Sequence, residues 1–465
     1  MKTIVIGSGG REHAIACALA ASPLVSEVIC IPGNGGTATE GKCRNISIPT
    51  VELSSIVDAC REELGSLDDG SFVLVGPEDP LAAGIANRLE SAGLAVVGPK
   101  QNAAELEASK DTAKRFMSRY GVACAESETF RDAADAIAYI RQKTGPVVVK
   151  ADGLAAGKGV VVASDQDTAV EAVRSFMIDM SLGGAGHKIV VEEYLEGEEI
   201  SILAAVSVTP SISALGKARI VPFVTARDHK RLGDGAQGPN TGGMGAIAPV
   251  PNLPSEVIPR FTTEILEPTL KGLVAEGWDY RGFIFFGLML TRDGPKLLEY
   301  NVRLGDPETQ AVLPLMNFDF ARMCRAMIDG ELDSFTFDWK QGYVCAPVAV
   351  SGGYPGTYPK GIPIVFDRQI IEDAKAKVYI AGATVNHRNS RGDTGSTVHA
   401  PVSADEKGQE LLITSGGRVL AVSAFGETLE QARDSAYNAI KGVTFDGMFY
   451  RRDIGLPGAA ASSVM

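Results

Sequence analysis

Apolar and polar positions along residues 1–103 predict strands separated by helices. The segments "KTIVIG", "SEVICIPG", "SFVLVGPEDP" and "LAVVGP" carry the apolar runs of buried strands, whereas "SGGREHAIACALAAS", "ELSSIVDACREEL" and "LAAGIANRLESAG" have helical spacing. Strands that alternate with helices form parallel βαβ units. We therefore predict an N-terminal α/β domain, residues 1–103, built on a doubly wound parallel sheet.

The pattern changes after residue 103 and divides the rest of the chain into α+β units. A helical stretch, "NAAELEASKDTAKRFMSRYG", leads into a small α/β region that ends in the strand "HKIVVEEYLEG". Alternating apolar strands follow, and "GFIFFGLMLTRDGPKLLEYNVRLGD" predicts a β-hairpin. We predict a core of residues 104–122 and 194–335, a smaller subdomain at 123–193, a C-terminal α+β domain at 336–453 and a disordered tail at 454–465.

Charge and cysteine content narrow the class of protein. The 465 residues carry a net charge of −13, which argues against nucleic acid and anionic membranes as partners because their phosphates would be repelled. A small phosphorylated substrate stays compatible with this charge. The seven cysteines are scattered without a CxxC pair, and no apolar run is long enough for a secretion signal or a membrane span. These features predict a cytoplasmic protein with reduced thiols.

Two glycine-rich segments suggest phosphate binding, but neither fits a familiar motif. In "GSGGREHA" the third glycine of a dinucleotide fingerprint would fall at Glu12, which weakens a nicotinamide reading. The amide groups of Gly9 and Gly10, at a predicted helix start, can still hold a phosphate. "GLAAGKGV" lacks the spacing and the hydroxyl of a Walker loop. It predicts a flap over a nucleotide, flanked by Lys150 and carrying Lys158, with a plain mobile hairpin as the alternative.

The strand "KLLEYNVRLGD" predicts a metal site. With period-two alternation, Leu297, Glu299, Asn301 and Arg303 face one side of the strand. A carboxylate and an amide oxygen beside a guanidinium suit Mg²⁺ that carries phosphate groups. The alternative is a polar strand that faces solvent. The five histidines lack the spacing of metal ligands, although His13 and His229 lie in motifs that can line a site.

Taken together, these segments resemble the ATP-grasp superfamily, in which two α+β subdomains hold ATP between them. Six motifs in order are similar to the phosphoribosylamine–glycine ligase family: "GSGGREHA", "PGNGGT", "VGPEDPL", "KADGLAAGKGV", "DHKRLGDGAQGPNTGGMGA" and "EYNVRLGDPETQ". The resemblance continues through "SGGYPGTYPKG" and "GGRVLAVSAFGETLEQA" in the last domain. One departure is a C-terminal segment, "NHRNSRGDTGSTVHAPVSADEKGQELLITSGGR", that is longer than the family pattern.

The resemblance implies a fold and a reaction. Residues 104–122 and 194–335 would form the ATP-grasp core with the metal site, residues 123–193 its lid, and residues 1–103 the substrate domain. The reaction would join glycine to 5-phosphoribosylamine through glycyl phosphate, with ATP as co-substrate and Mg²⁺ or Mn²⁺ as cofactor. The partners would be these small molecules, and the enzyme would be a monomer.

The resemblance also implies roles for individual residues. Arg303 would stabilise the transferring phosphoryl group, unless it only forms a salt bridge with Asp306 or Glu308, and Asp228 would bind the glycine ammonium. Glu299 and Asn301 would hold the metal. The nucleotide would be bound by Lys110, Lys150, Gly153, Gly157, Lys158, Gly159, Glu192, Leu195 and Glu199, with Glu198 as the competing choice for the ribose. The substrates would be bound by Gly9, Gly10, Arg11, Glu12, Glu78, Asp79, Lys230, Asn240, Thr241 and Gly242.

Three other functions stay open at this point. Another purine-route ATP-grasp enzyme, a carboxylase or formyltransferase, would share the nucleotide site but lack the long "DHKRLGDGAQGPNTGGMG" loop. A nicotinamide-dependent dehydrogenase is favoured only by "GSGG". A non-catalytic nucleotide sensor would not need the carboxylate and amide of Glu299 and Asn301.

Overall fold

The computed structural model of the protein describes residues 1–65, 70–154, 159–386 and 411–458. The N-terminal domain contains a five-stranded parallel sheet in the order β3-β2-β1-β4-β5. Its buried apolar strands are covered by helices, so the predicted doubly wound α/β fold is confirmed. The elements are β1 (Lys2–Gly7), α1 (Gly10–Ala20), β2 (Glu27–Pro32), α2 (Gly35–Thr39), β3 (Cys43–Asn45), α3 (Leu53–Leu64), β4 (Phe72–Val75), α4 (Glu78–Ala82), α5 (Ile85–Ser91) and β5 (Val96–Val97).

Two helices lead from this domain into a four-stranded antiparallel sheet, the lid, which has its own apolar core. The strand order is β6-β9-β7-β8, and β7 pairs with β8 around the glycine-rich segment. The elements are α6 (Gln101–Ala108), α7 (Lys110–Tyr120), β6 (Ser127–Phe130), α8 (Ala133–Ile140), β7 (Val147–Ala151), β8 (Val160–Ala163), α9 (Gln166–Val173) and β9 (Ile189–Glu193).

The central domain supplies the large sheet on which the lid rests. Long antiparallel strands β10 and β15 lie at its middle, and the predicted hairpin joins β15 to β16. The elements are β10 (Glu198–Val208), α10 (Pro210–Ala214), β11 (Arg219–Asp228), β12 (Arg231–Gly233), β13 (Gln237–Asn240), β14 (Gly245–Ala248), α11 (Val257–Phe261), α12 (Glu267–Ala275), β15 (Tyr280–Thr291), β16 (Gly294–Asn301), α13 (Glu308–Val312) and α14 (Phe320–Asp329).

The C-terminal domain adds strands to the central sheet and also forms a four-stranded sheet of its own, in the order β20-β21-β18-β23. Strand β14 pairs with β17, which gives an eight-stranded sheet in the order β16-β15-β10-β11-β14-β17-β22-β19. The elements are β17 (Tyr343–Val350), β18 (Pro363–Phe366), α15 (Arg368–Asp373), β19 (Lys377–Ile380), β20 (Ala383–Val385), β21 (Leu412–Thr414), β22 (Arg418–Gly426), α16 (Leu429–Ala439) and β23 (Val443–Thr444). The shared sheet fixes how this domain meets the centre of the molecule.

The residue at the start of the predicted tail is anchored in the fold. Ile454, at the first position of the predicted tail, is fully buried, and its amide donates to the Tyr437 hydroxyl at 3.1 Å. Residues 459–465 of that tail and residues 387–410 of the longer C-terminal segment lie outside the described residues. Within the described part of the chain, no helix combines the length and apolar character needed to cross a membrane.

Candidate active site

A cavity of about 470 Å³, called the inner cavity below, lies where the lid, the central domain and the N-terminal domain meet. Most of the residues that the sequence predicted for nucleotide, metal and glycine binding share its wall. These are Lys110, Lys150, Gly159, Glu192, Asp228, Lys230, Asn240, Thr241, Gly242, Glu299, Asn301 and Arg303. Glu78 and Asp79, predicted for phosphoribosylamine, line this cavity as well.

Glu299, Asn301 and Arg303 follow one another along the edge strand and its exit. Asn301 Nδ2 lies 3.5 Å from Glu299 Oε1, and Arg303 Nη2 donates to Asn301 Oδ1 at 2.9 Å. The carboxylate, the amide and the guanidinium therefore form one polar row on the cavity wall, as predicted.

The predicted alternation is wrong at Leu297. The pairing of β15 with β16 shifts between Gly287 opposite Glu299 and Leu288 opposite Leu297, so Leu298 is an extra residue in the ladder. This bulge turns Leu297 into the apolar core, where it is fully buried, while Leu298 lines the inner cavity. A β-bulge of this kind re-aims the side chains that follow it.

The surroundings of Glu299 fit a divalent metal ion. Burial would raise the pKa of Glu299, but the charges of Lys230, Lys150 and Lys110 outweigh burial and lower it. The carboxylate is therefore ionised at neutral pH. The Asn301 side chain faces Glu299 with its Nδ2, and its Oδ1 accepts from Arg303, so a metal ion would take the place of Arg303 at this oxygen. A carboxylate and an amide oxygen are hard oxygen ligands of the type that Mg²⁺ prefers. The nearby lysines suit the phosphate groups that such an ion would carry.

Arg303 is held by carboxylates from two other elements. Its Nη2 lies 2.9 Å from Glu107 Oε1, and its Nε donates to Glu78 Oε2 at 3.2 Å. Among the described residues these are its ion-pair partners, so the alternative of a salt bridge with Asp306 or Glu308 is wrong. Strand geometry carries the Arg303 side chain toward α4 and α6 instead. Burial raises the pKa of Glu107 to about 7, although Arg303 opposes that shift.

Lys150 lies in a buried triad at the base of the lid. Its Nζ is 3.0 Å from Glu192 Oε1, and Lys114 Nζ is 3.0 Å from Glu192 Oε2. All three side chains are almost fully buried. One carboxylate between two ammonium groups leaves a positive charge that faces the inner cavity, as an anionic ligand requires.

The glycine-rich flap is described only at its two ends. Lys110 Nζ donates to the carbonyl of Gly153 at 2.9 Å, which ties α7 to the start of the flap. Gly159 lines the inner cavity, whereas Gly157 and Lys158 lie outside the described residues. Leu195 lies in the connector between β9 and β10 and is half-buried.

The two candidates for the ribose differ in exposure. Glu199 contacts Lys230 and is 13% exposed, whereas Glu198 is 58% exposed and accepts from Arg227 at 2.9 Å. Only Glu199 is therefore drawn toward the lysines of the inner cavity.

Asp228 and Glu308 are two further carboxyl groups on the wall of the inner cavity. Burial raises the pKa of Asp228 well above its usual value, and the charge of Glu308 raises it further. Burial raises the pKa of Glu308 as well. Asp228 Oδ1 is buried, and none of the described residues forms a hydrogen bond with it. A cationic group placed here would satisfy this oxygen and offset the repulsion between the two carboxylates.

The loop that carries Asp228 bends closely around it. Gly243 has a φ of +113°, and a Cβ atom there would lie 2.7 Å from Asp228 Oδ1. Thr241 Oγ1 donates to the carbonyl of Lys230 at 2.8 Å, and the Gly242 amide donates to the Tyr354 hydroxyl at 2.9 Å. A glycine is thus required at position 243 for the loop to approach the carboxylate.

A second and larger cavity, about 1100 Å³ and called the outer cavity below, lies between the N-terminal and C-terminal domains. Its wall includes Ser8, Gly9, Asn34, Asn45, residues 381–385 and Arg418. Asp306 lines both cavities. Its Oδ1 accepts from Gln310 at 2.8 Å, and its Oδ2 lies 3.5 Å from Arg418 Nη2. The two cavities therefore meet at one fixed carboxylate.

The "GSGGREHA" residues are divided between this cavity and the interior. Gly9 lines the outer cavity, but its amide donates to Glu12 Oε2 at 2.6 Å. Arg11 Nε is 2.5 Å from Glu12 Oε1, and Arg11 Nη1 donates to the carbonyl of Leu304 at 3.1 Å. Arg11 and Glu12 thus brace the loop from inside, and Gly10 begins α1 beside them.

The sequence did not identify five residues as candidates for the site. These are Glu107, Lys114, Glu308, Arg418 and Asp306, which lies at the junction of the two cavities. Glu107 and Lys114 look like ordinary helical surface residues, and their burial depends on distant partners. Asp306 and Glu308 lie within "EYNVRLGDPETQ", shortly after the end of β16. Their position in that motif is the one local signal that could have identified them.

Comparisons with known proteins agree with this arrangement along the chain. Residues 1–107 match the N domain of phosphoribosylglycinamide synthetase, residues 108–309 match its ATP-grasp (A) domain, and residues 344–457 match its C domain. The phosphoribosylamine–glycine ligase of Clostridium acetobutylicum is 45% identical over 455 residues, 98% of this chain and 99% of the relative.

Solved structures show the same similarity. The crystal structure of phosphoribosylamine–glycine ligase from Thermotoga maritima has a TM-score of 0.79 at 32% identity and covers 98% of this chain and 100% of that one. The biotin carboxylase domain of 2-oxoglutarate carboxylase from Hydrogenobacter thermophilus, in complex with MgADP, ADP and bicarbonate, has a TM-score of 0.66 at 17% identity and covers 96% and 91%. This second likeness concerns the fold alone.

Proposed function

Because the chain belongs to the phosphoribosylamine–glycine ligase family, we propose that it joins glycine to 5-phosphoribosylamine and forms glycinamide ribonucleotide, ADP and phosphate. This is an ATP-dependent carbon–nitrogen ligation in de novo purine biosynthesis. The observation that carries the proposal is the junction of the two cavities at Asp306. There the inner cavity, with its lysines and its carboxylate and amide oxygens, meets the outer cavity between the N-terminal and C-terminal domains.

The chemistry explains why two joined cavities are needed. The carboxylate of glycine is a poor acyl donor, because oxide is a bad leaving group. Transfer of the γ-phosphoryl group of ATP to that carboxylate gives glycyl phosphate. The amine of phosphoribosylamine then attacks the carbonyl carbon and phosphate leaves. Such a transfer depends on positioning and charge neutralisation more than on a covalent protein nucleophile.

In this proposal the lid and the central sheet hold ATP. Lys110 and Lys150 contact its phosphates, and the flap from Gly153 to Gly159, with Gly157 and Lys158, covers them. Lys150 would exchange its bond to Glu192 for a phosphate oxygen, with Lys114 left to neutralise Glu192. The backbones of Glu192 and Leu195 meet adenine, and Glu199 meets the ribose.

ATP-grasp enzymes use ATP and a divalent metal ion, and here Glu299 and Asn301 would hold it. We propose Mg²⁺, with Mn²⁺ as a substitute, because the donor pair is a carboxylate and an amide oxygen. When bound, such an ion neutralises phosphate charge and fixes the orientation of the phosphate groups. Arg303, aligned by Glu107 and Glu78, points its guanidinium at the same region to stabilise the transferring phosphoryl group.

Glycine binds beside the polar row of Glu299, Asn301 and Arg303. Its ammonium group fits between Asp228 and Glu308, because burial raises the pKa of both carboxyl groups and a cation there would stabilise their ionised forms. Lys230 would face the glycine carboxylate, and the loop residues Asn240, Thr241 and Gly242 would close over the substrate. In this arrangement the glycine carboxylate would lie close to the proposed position of the γ-phosphate.

Phosphoribosylamine binds in the outer cavity. Its phosphate would approach Gly9, with Gly10 next to it, at the start of α1, an 11-residue helix whose N-terminal end favours anions. The Gly9 amide would exchange its bond to Glu12 for one to a phosphate oxygen. Arg11 and Glu12 would fix the loop, and Glu78 and Asp79 would lie on the far side of the junction. Asp306 would receive the amine between the two cavities.

Membership of the family argues against the carboxylase, formyltransferase, dehydrogenase and sensor alternatives. We further propose that the enzyme is a cytoplasmic monomer, since its substrates are small metabolites and the described wall of the inner cavity draws on the N-terminal domain, the lid and the central domain of one chain.

A direct assay tests the proposed reaction. Purified enzyme receives ATP, Mg²⁺, glycine and freshly prepared phosphoribosylamine, and ADP and glycinamide ribonucleotide are measured together. Equal amounts of both products, each requiring glycine, are expected. Bicarbonate or formate in place of glycine should give no product. Turnover with either of these acids, or none with glycine, would contradict the proposal.

A further inference from the structure

The outer cavity takes part of its wall from the C-terminal domain. Strand β19 ends at Ile380, and the next three residues, Ala381, Gly382 and Ala383, line the cavity. They face Ser8, Gly9 and Asn34 of the N-terminal domain. The shape of the cavity therefore depends on how the two domains dock at the end of β19.

Two side chains of the N-terminal domain hold both polar groups of Ile380. The Ile380 amide donates to His13 Nδ1 at 2.8 Å, and Asn34 Nδ2 donates to the Ile380 carbonyl at 2.8 Å. Both bonds are buried, since His13 is 4% and Asn34 8% exposed. This two-point clamp fixes the backbone directly before the cavity wall.

The orientation of Asn34 is set by its other hydrogen bonds. Its Oδ1 accepts from the amides of Gly36 and Thr37 at 2.8 and 3.0 Å, which caps α2. Its Nδ2 also donates to the carbonyl of Ser8 at 2.9 Å. One amide thus connects the Ser8 loop, the start of α2 and Ile380, three parts that surround the same cavity.

The tautomer of His13 follows from its role as acceptor. Because Nδ1 accepts the Ile380 amide, the proton of the neutral ring lies on Nε2, which is 3.8 Å from Glu40 Oε2. Burial lowers the pKa of His13, so the ring is neutral at physiological pH. Glu40 stabilises this tautomer and also accepts from Lys377 Nζ at 2.6 Å. Lys377 provides a third tie between the two domains.

The same residues could be mistaken for a metal centre. His13, Cys17 and Glu40 offer ligand-type atoms within 4.8 Å of one another. Nδ1 of His13 is engaged with the Ile380 amide, Nε2 carries the ring proton, and the ammonium of Lys377 donates to Glu40, so a cation would have to displace these groups. The geometry supports a domain tie rather than a metal site.

We propose that His13 and Asn34 are positioning residues for phosphoribosylamine, which set the C-terminal wall of the outer cavity through Ile380. The inference rests on the proposed function and extends it to residues that do not themselves react. Loss of the clamp should weaken phosphoribosylamine binding and leave ATP and glycine, which bind in the inner cavity, unaffected.

The test compares three replacements of His13 in the full chain. His13→Leu removes the acceptor. His13→Asn places an amide oxygen close to the former position of Nδ1, whereas His13→Gln places its oxygen closer to the former position of Nε2. KM and kcat are measured for each of the three substrates, and thermal unfolding confirms that each variant is folded.

We expect His13→Leu and His13→Gln to raise the KM for phosphoribosylamine about fivefold to tenfold, the factor expected from one buried hydrogen bond. The KM values for ATP and glycine should change less than about twofold on the same scale. His13→Asn should restore most of the phosphoribosylamine KM. If His13→Leu does not fold, the comparison of His13→Asn with His13→Gln decides.

Three results would overturn the inference. One is a native phosphoribosylamine KM in folded His13→Leu. Another is an equal rise of all three KM values, which indicates general damage. The third is an identical phosphoribosylamine KM in His13→Asn and His13→Gln. A native enzyme that did not use phosphoribosylamine at all would instead overturn the proposed function, and this inference with it.

Discussion

Arg303 and Glu107 form an ion pair that is largely shielded from solvent, with 2.9 Å between Nη2 and Oε1, although they belong to different parts of the chain. Glu107 also accepts the amide of Val302 at 2.7 Å. The Glu107 carboxylate therefore fixes both the backbone at Val302 and the side chain of Arg303. Arg303 would then meet a transferring phosphoryl group without first having to reorganise.

Glu107→Gln should lower kcat by about tenfold or more, because one charge-assisted hydrogen bond to Arg303 is lost. The assay is best run at pH 8, since the pKa of Glu107 is about 7 and the native carboxylate is then ionised. Glu105→Gln, on the same helix but half-exposed, is the matched control. Equal kcat values for the two variants would contradict a role for Glu107 in aligning Arg303.

Glu299→Ala should lower turnover by about a hundredfold at moderate Mg²⁺, because the ionised carboxylate of the proposed metal site is removed. The dependence of rate on Mg²⁺ concentration is the measurement, and saturation should shift to higher concentration. Asp293→Asn changes an exposed residue in the turn of the same hairpin and should behave as the native enzyme. Near-normal turnover of Glu299→Ala would reject the assigned metal role.

The sequence predicts the polar row of the metal site correctly, but not the orientation of Leu297 before it. Period-two alternation placed Glu299, Asn301 and Arg303 together correctly. It failed at Leu297, because a bulge depends on the pairing strand and not on the residue types of β16 alone. The N-terminal sheet was predictable since buried parallel strands form continuous apolar runs.

Long-range contacts explain most of what the sequence could not supply. Glu107 and Val302 are 195 positions apart, and His13 and Ile380 are 367 apart. No local pattern indicates which carboxylate will be buried or which backbone it will meet. The assignment of Glu78 and Asp79 to the inner cavity likewise depends on how the N-terminal domain docks on the central sheet.

Asp228→Asn should raise the KM for glycine about tenfold, because a neutral amide attracts the ammonium group less strongly than a carboxylate. The KM for ATP should stay close to the native value. Asp234→Asn, at an exposed position of the same loop, is the control. If Asp228→Asn changed the KM for ATP and left that for glycine intact, the placement of glycine would be wrong.

His229 should make the protein less stable in acid. Burial and the charge of Arg451 lower the pKa of His229 to about 4, below the value of 6.5 for a free histidine. The unfolded chain therefore binds a proton at higher pH than the folded one. The resulting stability is present above pH 6.5 and is lost as the pH falls through about 4.

Denaturant unfolding at pH 7 and pH 4 measures this effect. His229 should account for roughly 3 kcal/mol of the loss in the free energy of unfolding. His229→Gln should reduce that loss, whereas His187→Gln, at an exposed histidine, should retain it. An unchanged pH dependence in His229→Gln would show that His229 does not stay neutral in the folded protein.

The central claim is that glycine is activated as glycyl phosphate in the inner cavity before the amine attacks. Glycine labelled with ¹⁸O in both carboxylate oxygens tests it most directly, with the released phosphate analysed by mass spectrometry. The account predicts one ¹⁸O atom in each phosphate and one in the amide of the product. Phosphate that contains no ¹⁸O, although glycinamide ribonucleotide forms, would contradict it.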